Sequence, residues 1–494
     1  MLAECTGTVP VQLTRYSSIW QGEMTGTPDV LTLDRSADDS LVEQIVRAVE
    51  LRIEDHVLRA GARMPSIRQF AEQHDVSRFT VVEAYDRLVA RGLLESRRGS
   101  GFTVRERAPA PEQVRARIGP PTSLDITWLI RNMFRVHPLN KMPGAGLLPT
   151  EWLDGDVLSG ALRAVSRQSD ALLHYGTPQG FPPLRAQLQL KLAALGIEAT
   201  PDRIVTTLGV TQGLDLLARV LLRPGDVVFV DDPAWFLMFG SFARLGLTVI
   251  GVPRLADGPD IARLTELVEL HRPKLYVISS VLHNPTSTCL SAAKAFQVLR
   301  LAEQHDFTIA EDDIYCDLHA DPGRGVGMRI SALDQLSRTV YLGGYSKTLA
   351  GTLRVGFLAC NPDLAQRLTD QKMLSTLTTS EISERVVHQV LSEGHYRKHV
   401  DRLRGRLDGV REQTMLALER VGLKLDNHPT SGMFVWADAG CDTNVLTQRG
   451  LEKGFLFAPG SLFSPRQLPS TRTRINVACM ADPGVLAFLD GALG

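Results

Sequence analysis

Hydrophobic residues recur along most of the chain with the periods of an α/β protein. From Leu41 onward they return at every fourth position (Leu41, Ile45, Val49, Ile53), which predicts an amphipathic helix. Farther along, short apolar runs alternate with helical stretches as far as the C-terminus. This alternation predicts a mostly parallel central sheet with helices on both faces. The runs are Ile204–Leu208, Val227–Val230, Leu275–Ile278, Phe307–Ala310, Val340–Leu342 and Val355–Ala359.

Residues 65–104 predict two short helices joined by a tight turn and followed by a hairpin. Ser66 and Gln69 form a capping box at the first helix, and Ser77 caps the second. The hairpin strands flank a basic, glycine-rich wing at residues 97–101. We expect the second helix to bury Val81, Val82, Tyr85, Leu88 and Val89.

This arrangement is typical of a winged helix-turn-helix, whose second helix reads base edges while other side chains hold phosphates. Nine arginines against five acidic residues between Leu58 and Arg105 make the segment locally basic, although the whole chain has a net charge of −1. The alternative is a solvated helix face beside a merely structural hairpin. The candidate DNA-binding residues are Ser66, Arg68, Ser77, Arg78, Phe79, Thr80, Arg97, Arg98 and Ser100.

The segment from Met64 to Val104, which includes PSIRQFAEQHDVSRFTVVEAYDRL and ends in GSGFTV, resembles the GntR family of bacterial repressors. The resemblance implies binding to double-stranded operator DNA. Asp75 stands where that family often has glycine in the turn. Phe79 replaces a small polar residue on the recognition helix, which leaves the base preference open.

A second set of residues suggests covalent chemistry. Lys347 follows the run Val340–Leu342, and a lysine in a crevice at the carboxyl end of a strand can lose its proton and form a Schiff base. Arg354 supplies a planar cation suited to a phosphate. Val210 and Thr211 begin a helix, where free N–H groups bind anions. Each feature alone is usually structural.

Further candidates lie at the ends of other predicted strands. Strand alternation lets only one of Asp312 and Asp313 point into the crevice. Tyr315 and Asn284 supply hydrogen bonds, and Trp235 offers a flat aromatic face. Taken singly, Asp312 is explained as well by a helix cap, Trp235 by the core and Asn284 by a turn.

Together, in this chain order, these residues resemble the fold-type-I aminotransferases over about residues 140–494. The resemblance implies pyridoxal 5'-phosphate as cofactor, bound to Lys347 as a Schiff base. It also assigns Asp312 to the pyridine nitrogen, Asn284 and Tyr315 to the phenolic oxygen, Trp235 to the ring face and Arg354 to the phosphate, which the N–H groups of Val210 and Thr211 are placed to bind as well. Tyr175 corresponds to a tyrosine that reaches the partner subunit's phosphate, and Arg474 to the arginine that grips an α-carboxylate.

Two positions depart from the aminotransferase pattern. Gly344 lies where a Ser or Thr commonly supplies a phosphate hydroxyl, and Ser287 replaces the usual glycine after HNPT. Ser346 is a candidate to compensate for Gly344.

A GntR-like DNA-binding domain joined to an aminotransferase-like domain resembles the MocR family of transcriptional regulators. The resemblance implies a homodimer that senses pyridoxal phosphate, an amine or amino acid, or both. One alternative is a working aminotransferase with an attached DNA-binding domain, and another is a body that serves only as a dimerisation scaffold. Transamination is open as a half-reaction, but we do not expect full turnover.

The expected organisation is a flexible extension (1–38), a winged helix-turn-helix (39–106), a linker (107–123) and an aminotransferase-like domain (124–494). Hydrophobic residues make up 44% of the 494 residues, and no apolar run is long enough for a membrane-spanning helix. The cysteines are scattered singly along the chain. We therefore expect a cytoplasmic protein with reduced thiols and no metal site.

Overall fold

The computed structural model describes residues 31, 33–37, 39–97, 101–105, 126–133, 138–168, 173–319 and 327–493. Two compact units, Met1–Pro120 and Pro121–Gly494, make up the chain. The expected linker (107–123) and nearly all of the expected extension (1–38) lie outside the described residues, so their proposed character stays a prediction.

The N-terminal unit contains three helices and a hairpin. These are α1 (Leu41–Glu54), α2 (Ile67–Gln73), α3 (Arg78–Ala90), β1 (Leu94–Arg97) and β2 (Gly101–Val104). The hairpin is antiparallel, with Leu94 opposite Val104. The capping box of Ser66 and Gln69 starts α2, and the Ser77 hydroxyl accepts the Thr80 N–H at the start of α3.

The apolar stripes of these helices meet in one core. Ile45, Val49, Val81, Tyr85 and Leu88 are almost completely buried there. The expectation that Val82 is buried is wrong, because its side chain is 36% exposed. It lies one position beyond the buried Val81, and a step of one residue turns a helical side chain about 100° away from the core.

The C-terminal unit is built around a large and a small sheet. The strands are β3 (Ile204–Thr207), β4 (Val227–Asp232), β5 (Thr248–Leu255), β6 (Gly258–Pro259), β7 (Leu275–Ile278), β8 (Thr308–Asp312), β9 (Thr339–Gly344), β10 (Gly356–Ala359), β11 (Lys424–Leu425), β12 (Phe434–Asp438), β13 (Ala458–Pro459) and β14 (Arg472–Asn476).

Helices connect these strands. They are α4 (Ile126–Met133), α5 (Gly155–Ser166), α6 (Pro182–Ala194), α7 (Val210–Leu221), α8 (Leu237–Arg244), α9 (Ile261–His271), α10 (Ala292–His305), α11 (Ile330–Asp334), α12 (Pro362–Thr376), α13 (Glu381–Ser392), α14 (His395–Arg420), α15 (Thr443–Glu452) and α16 (Pro483–Leu493). No helix among the described residues is long and apolar enough to cross a membrane.

The large sheet has the order β3-β10-β9-β8-β7-β4-β5-β6. Strands β5, β4, β7, β8 and β9 are parallel neighbours, and β10 runs antiparallel to both β9 and β3. The predicted α/β class with a mostly parallel sheet is confirmed. The carboxyl ends of β3, β4, β7, β8 and β9 consequently lie at one edge, where open α/β sheets bind ligands.

The apolar runs predicted as strands are buried because helices cover both faces of the large sheet. Val228 and Val230 pack in the core of one face, whereas Phe229 packs in the core of the other. The sequence interpretation missed β5, whose side chains are mostly half-exposed or exposed and so give no continuous apolar run.

The small sheet has the order β11-β12-β14-β13 and its own core with α14. In this sheet Trp436 is opposite Arg474, and Phe434 is opposite Asn476. The pairing of β12 with β14 places the predicted carboxylate-binding arginine on a buried strand rather than on a loop.

Candidate functional site

Lys347 follows the end of β9 in the loop that leads towards β10. Its side chain is partly exposed, and Nζ donates a hydrogen bond to the carbonyl oxygen of Gly146 at 2.9 Å. Burial of the amino group, together with the positive charges of Arg474 and Arg354, lowers the pKa of Lys347 to about 8, against the opposing effect of Asp312. The amine is therefore much closer to neutrality at physiological pH than an ordinary lysine.

The two adjacent carboxylates at the end of β8 have different surroundings. Asp312 accepts the Ile314 N–H at 3.2 Å and lies within the electrostatic influence of Lys347. Burial raises the pKa of Asp312 to about 7. Asp313 is buried in an ion pair with Arg329 at 2.6 Å and also accepts the Tyr341 hydroxyl at 2.9 Å. The Asp313 carboxylate is thus bound to groups of the protein core, and Asp312 is the carboxylate that interacts with Lys347.

Arg474 lies in β14 with 2% of its surface exposed. Its Nη1 donates to Oδ1 of Asn284 at 2.8 Å, and its Nη2 donates to the carbonyl oxygen of Gly144 at 2.6 Å. The guanidinium carbon lies 4.4 Å from the ring centroid of Phe434 and 5.0 Å from that of Phe463. Burial lowers the pKa of Arg474 to about 10, so the side chain stays cationic at neutral pH.

Tyr315 is buried between the lysine and the small sheet. Its ring centroid is 6.0 Å from Nζ of Lys347 and packs edge-on against Phe434 at 5.3 Å. Burial raises the pKa of the Tyr315 hydroxyl, which is therefore a neutral hydrogen-bonding group. Trp235 is partly buried and packs against the core of the large sheet.

The loop between β3 and α7 forms a cradle with Arg354. Gly209 is the residue before α7, and no side chain caps that helix. Arg354 donates from Nη2 to the carbonyl oxygen of Leu208 at 2.7 Å and from Nη1 to Oγ of Ser346 at 3.3 Å. Free N–H groups at Val210 and Thr211, together with this guanidinium and hydroxyl, suit a phosphate dianion.

Glycines keep this cradle open. A Cβ on Gly356 would come within 2.6 Å of the Gly209 Cα, and a Cβ on Gly209 would lie 2.8 Å from Nη2 of Arg354. Gly209 also has a φ of 83°, which side chains rarely tolerate. The residues present therefore fit a phosphorylated aldehyde cofactor, because an anion-binding cradle and an amine of lowered pKa lie in the same site.

The two departures from the aminotransferase pattern have local explanations. A Cβ on Gly344 would meet Ile314 at 3.0 Å and the Gly356 backbone at 3.2 Å, which leaves little space for a side chain. Ser287 adopts a left-handed φ of 55°, and its hydroxyl donates to the carbonyl oxygen of Phe434 at 2.8 Å. That hydrogen bond offsets part of the backbone strain.

Tyr175 stands apart from the other predicted residues. It is 84% exposed, and its hydroxyl forms no hydrogen bond with any described residue. Its predicted contact is with a partner subunit, so that role stays a prediction.

The sequence interpretation missed several contributors to the site. Gly144 and Gly146 supply carbonyl acceptors, and Phe434 and Phe463 flank the guanidinium of Arg474. The glycine spacing in PGAG was a usable signal, because a Cβ on Gly144 would lie 2.3 Å from the Ala458 nitrogen. In the sequence, Phe434 and Phe463 cannot be distinguished from ordinary core residues.

Some of the predicted DNA-binding side chains form hydrogen bonds or ion pairs within the N-terminal unit, and others extend from its surface. The hydroxyls of Ser77 and Thr80 are 2.8 Å apart, Ser66 is held in its capping box, and Arg68 pairs with Glu72 at 2.9 Å. Arg78 and Phe79 extend from the exposed start of α3. Arg98 and Ser100 lie outside the described residues, as does the side chain of Arg97.

Comparison with known proteins gives two family matches. Residues 145–490 match the family described as aminotransferase class I and II, and residues 41–104 match the bacterial regulatory proteins of the gntR family.

Individual relatives and solved structures match most of the chain. The HTH-type transcriptional regulator YdfD of Bacillus subtilis is 29% identical over 437 residues, covering 85% of this chain and 89% of that protein. The probable rhizopine catabolism regulatory protein MocR of Rhizobium meliloti is 29% identical and covers 79% of each chain. The crystal structure of Pyrococcus horikoshii kynurenine aminotransferase, in complex with PMP, matches with a TM-score of 0.68 and 25% identity, over 74% of this chain and 93% of that one.

Proposed function

Because the chain belongs to the class I and II aminotransferase family and carries a gntR-family domain ahead of that region, we propose that it is a DNA-binding transcriptional regulator that senses pyridoxal phosphate, an amine or amino acid, or both. The observation that carries the proposal is the presence in one chain of a helix-turn-helix, whose helix α3 has an exposed start, and of Lys347 with a lowered pKa near Asp312, Arg354 and Arg474. The relatives YdfD and MocR, named as regulators, match across both parts.

We assign each part of the cofactor to residues of this chain. The cradle of Val210, Thr211, Ser346 and Arg354 holds the phosphate, with Tyr175 of a second subunit reaching the same group. Asp312 would hydrogen-bond to the pyridine nitrogen, Asn284 and Tyr315 would hydrogen-bond to the phenolic oxygen, and Trp235 would stack on the ring. When bound, pyridoxal phosphate supplies an aldehyde that condenses reversibly with primary amines.

The chain's own groups prepare this chemistry. Lys347 has a lowered pKa and so presents a neutral, nucleophilic amine near pH 8. Asp312, whose carboxylate lies near Lys347, would hold a proton on the ring nitrogen of the bound cofactor. Arg474 holds the carboxylate of an amino acid, because an arginine has five N–H donors and only two of its nitrogens form hydrogen bonds with described residues.

We further propose that the protein acts as a cytoplasmic homodimer. Large apolar side chains are exposed on the C-terminal unit, among them Leu173 (77%), Tyr175 (84%), Leu374 (84%) and Leu377 (55%). A contiguous group of such residues is typical of a surface that a second subunit covers. Tyr175 and Leu377 lie on neighbouring segments, since a Cβ on Gly176 would be 3.6 Å from the carbonyl oxygen of Thr379. A symmetric dimer presents two reading helices, so the operator contains paired half-sites whose spacing the dimer sets.

For an effector to regulate, it must bind one arrangement of the two DNA-binding units better than another. The test uses the full chain and a duplex selected from a random library by its affinity for the protein. We expect pyridoxal phosphate, with or without an added amino acid, to change the affinity or the footprint. Lys347→Ala should abolish that response while leaving basal binding to DNA. Identical affinity and footprint under every condition would contradict the sensing role, and failure to select any duplex would contradict the regulator itself.

Catalytic transamination is the second candidate. The observation in its favour is that Lys347, Asp312 and Arg474 are all retained and brought close together. Steady release of a keto acid, sustained by a second keto acid that regenerates the cofactor, would establish an enzyme. Product limited to one equivalent per site, followed by stalling, fits a sensor. If pyridoxal phosphate does not attach and Lys347→Ala leaves DNA binding unchanged, the larger unit serves as a scaffold.

A further inference from the structure

The predicted recognition helix α3 carries an aromatic side chain on its solvent-exposed face. Phe79, the second residue of the helix, is 76% exposed, and Val82 one turn later is 36% exposed. Among the other large apolar residues of α3, Val81, Tyr85 and Leu88 are completely buried and Val89 is partly buried against the same core. Phe79 and Val82 therefore form a short apolar stripe that packing within the N-terminal unit does not explain.

The neighbouring polar groups are already engaged. The Ser77 hydroxyl accepts the Thr80 N–H at 3.0 Å, and the two hydroxyls are within 2.8 Å of each other. Farther along the helix, Glu83 pairs with Arg87 at 2.6 Å. The first turn of α3 thus presents the cation of Arg78 and the ring of Phe79. Val82 extends the apolar surface of Phe79 along the exposed face of the helix.

The exposed groups suit nucleic acid better than a second protein surface. The segment from Leu58 to Arg105 holds nine arginines against five acidic residues, so a polyanion is attracted to this part of the chain. A phenyl ring has no donor or acceptor and cannot form a hydrogen bond with a base edge. Among the groups that base pairs present in the major groove, the C5 methyl of thymine is the apolar one.

We propose that Phe79, supported by Val82, determines operator specificity by packing on the C5 methyl group of a thymine in the major groove. This inference rests on the proposed function, because it names the base feature that the regulator reads. Arg78 supplies the accompanying polar contact. The replacement of a small polar residue by Phe79 then shifts base preference towards thymine at one position of each half-site.

The test removes the methyl group from the DNA and the ring from the protein. In the duplex selected with the full chain, each dT is replaced singly by dU, which deletes only the C5 methyl group. We expect one position in each half-site where dU weakens binding roughly four- to tenfold, the effect of losing about one buried methyl contact. With Phe79→Ala, binding should be weaker by a similar factor and should no longer distinguish dT from dU there. Phe79→Leu, which keeps an apolar side chain, should retain part of the discrimination.

Phe296→Ala is the matched control, since it removes another exposed phenylalanine (59%) from the C-terminal unit and should leave both affinities unchanged. Unaltered thermal unfolding of Phe79→Ala would show that the fold is intact. The inference is overturned if wild-type protein ignores the methyl group at every position, or if Phe79→Ala weakens dT and dU duplexes equally. Absence of any selected duplex overturns the regulator proposal as well, so the two failures are distinguishable.

Discussion

Arg474 donates a hydrogen bond from Nη1 to Oδ1 of Asn284 at 2.8 Å, between residues 190 positions apart in the chain. The bond links strand β14 of the small sheet to the loop that follows β7 of the large sheet. In the proposed function, Asn284 faces the cofactor ring and Arg474 faces the effector's carboxylate. A carboxylate that engages Arg474 therefore acts directly on a residue that positions the ring.

Replacing Arg474 tests this link. We expect Arg474→Lys to weaken binding of amino acids roughly 10- to 100-fold, because a lysine cannot form the paired hydrogen bonds of a guanidinium. The corresponding decarboxylated amine is the control ligand, and its affinity should change little. Titration of the protein–pyridoxal phosphate complex, followed by absorbance, measures both affinities. Equal losses for the amino acid and the amine would exclude Arg474 as the carboxylate site.

Attachment of pyridoxal phosphate should be selective for Lys347. Borohydride reduction followed by peptide mass mapping should place the added mass on Lys347 and not on Lys372. The pKa of each lysine is lowered to about 8 by burial, so the two are matched in basicity. The difference is access, because Lys372 is fully buried and donates to the Thr206 carbonyl oxygen at 2.8 Å. Label on Lys372 in native protein would contradict the assignment.

The rate of attachment should depend on pH through the pKa of Lys347. Only the neutral amine attacks an aldehyde, so the rate should rise with pH, with a midpoint near 8, and become constant above it. An unperturbed lysine would give a midpoint near 10.5. Single-turnover attachment at a series of pH values measures this midpoint directly, and a profile that is still rising at pH 10 would contradict the lowered pKa.

Asp312→Asn should move that midpoint downward. The Asp312 carboxylate is ionised above its pKa of about 7, and its negative charge raises the pKa of Lys347. Removal of the charge favours the neutral amine, so attachment should reach its half-maximal rate below pH 8. Asp313→Asn is a comparison at the adjacent position, where the carboxylate pairs with Arg329; it should affect thermal stability more than the pH midpoint. An unchanged midpoint in Asp312→Asn would show that this carboxylate does not act on the lysine.

Gly209→Ala should disrupt the phosphate cradle. The new Cβ would lie 2.8 Å from Nη2 of Arg354, so the guanidinium must move. We expect pyridoxal phosphate to bind about tenfold more weakly or worse, since a charge-assisted hydrogen bond contributes roughly 1.5–3 kcal/mol. Gly225→Ala is the matched control, because Gly225 also has a positive φ (95°) but a Cβ there would have no neighbour within 4 Å. Both variants should lose stability, and only Gly209→Ala should lose affinity.

The sequence alone indicated that the protein consists of two units, and it predicted the α/β fold class of the larger one. Apolar alternation predicted the buried strands, and the pattern of Ser66, Gln69 and Ser77 predicted the helix starts, because helix caps and strand periods are local properties of the chain. Strand alternation likewise predicted that Asp312 and Asp313 face different surroundings.

Other features depended on the tertiary structure. The half-exposed strand β5 and the antiparallel direction of β10 carry no strong local pattern, since the neighbouring strands decide both. The exposure of Val82 depends on how α3 is rotated against its core. In the site, Lys347 meets the carbonyl oxygen of Gly146 across 201 positions of the chain, and Arg474 meets Asn284 across 190. Backbone acceptors have no sequence signature, so only the folded arrangement of the strands identified these partners.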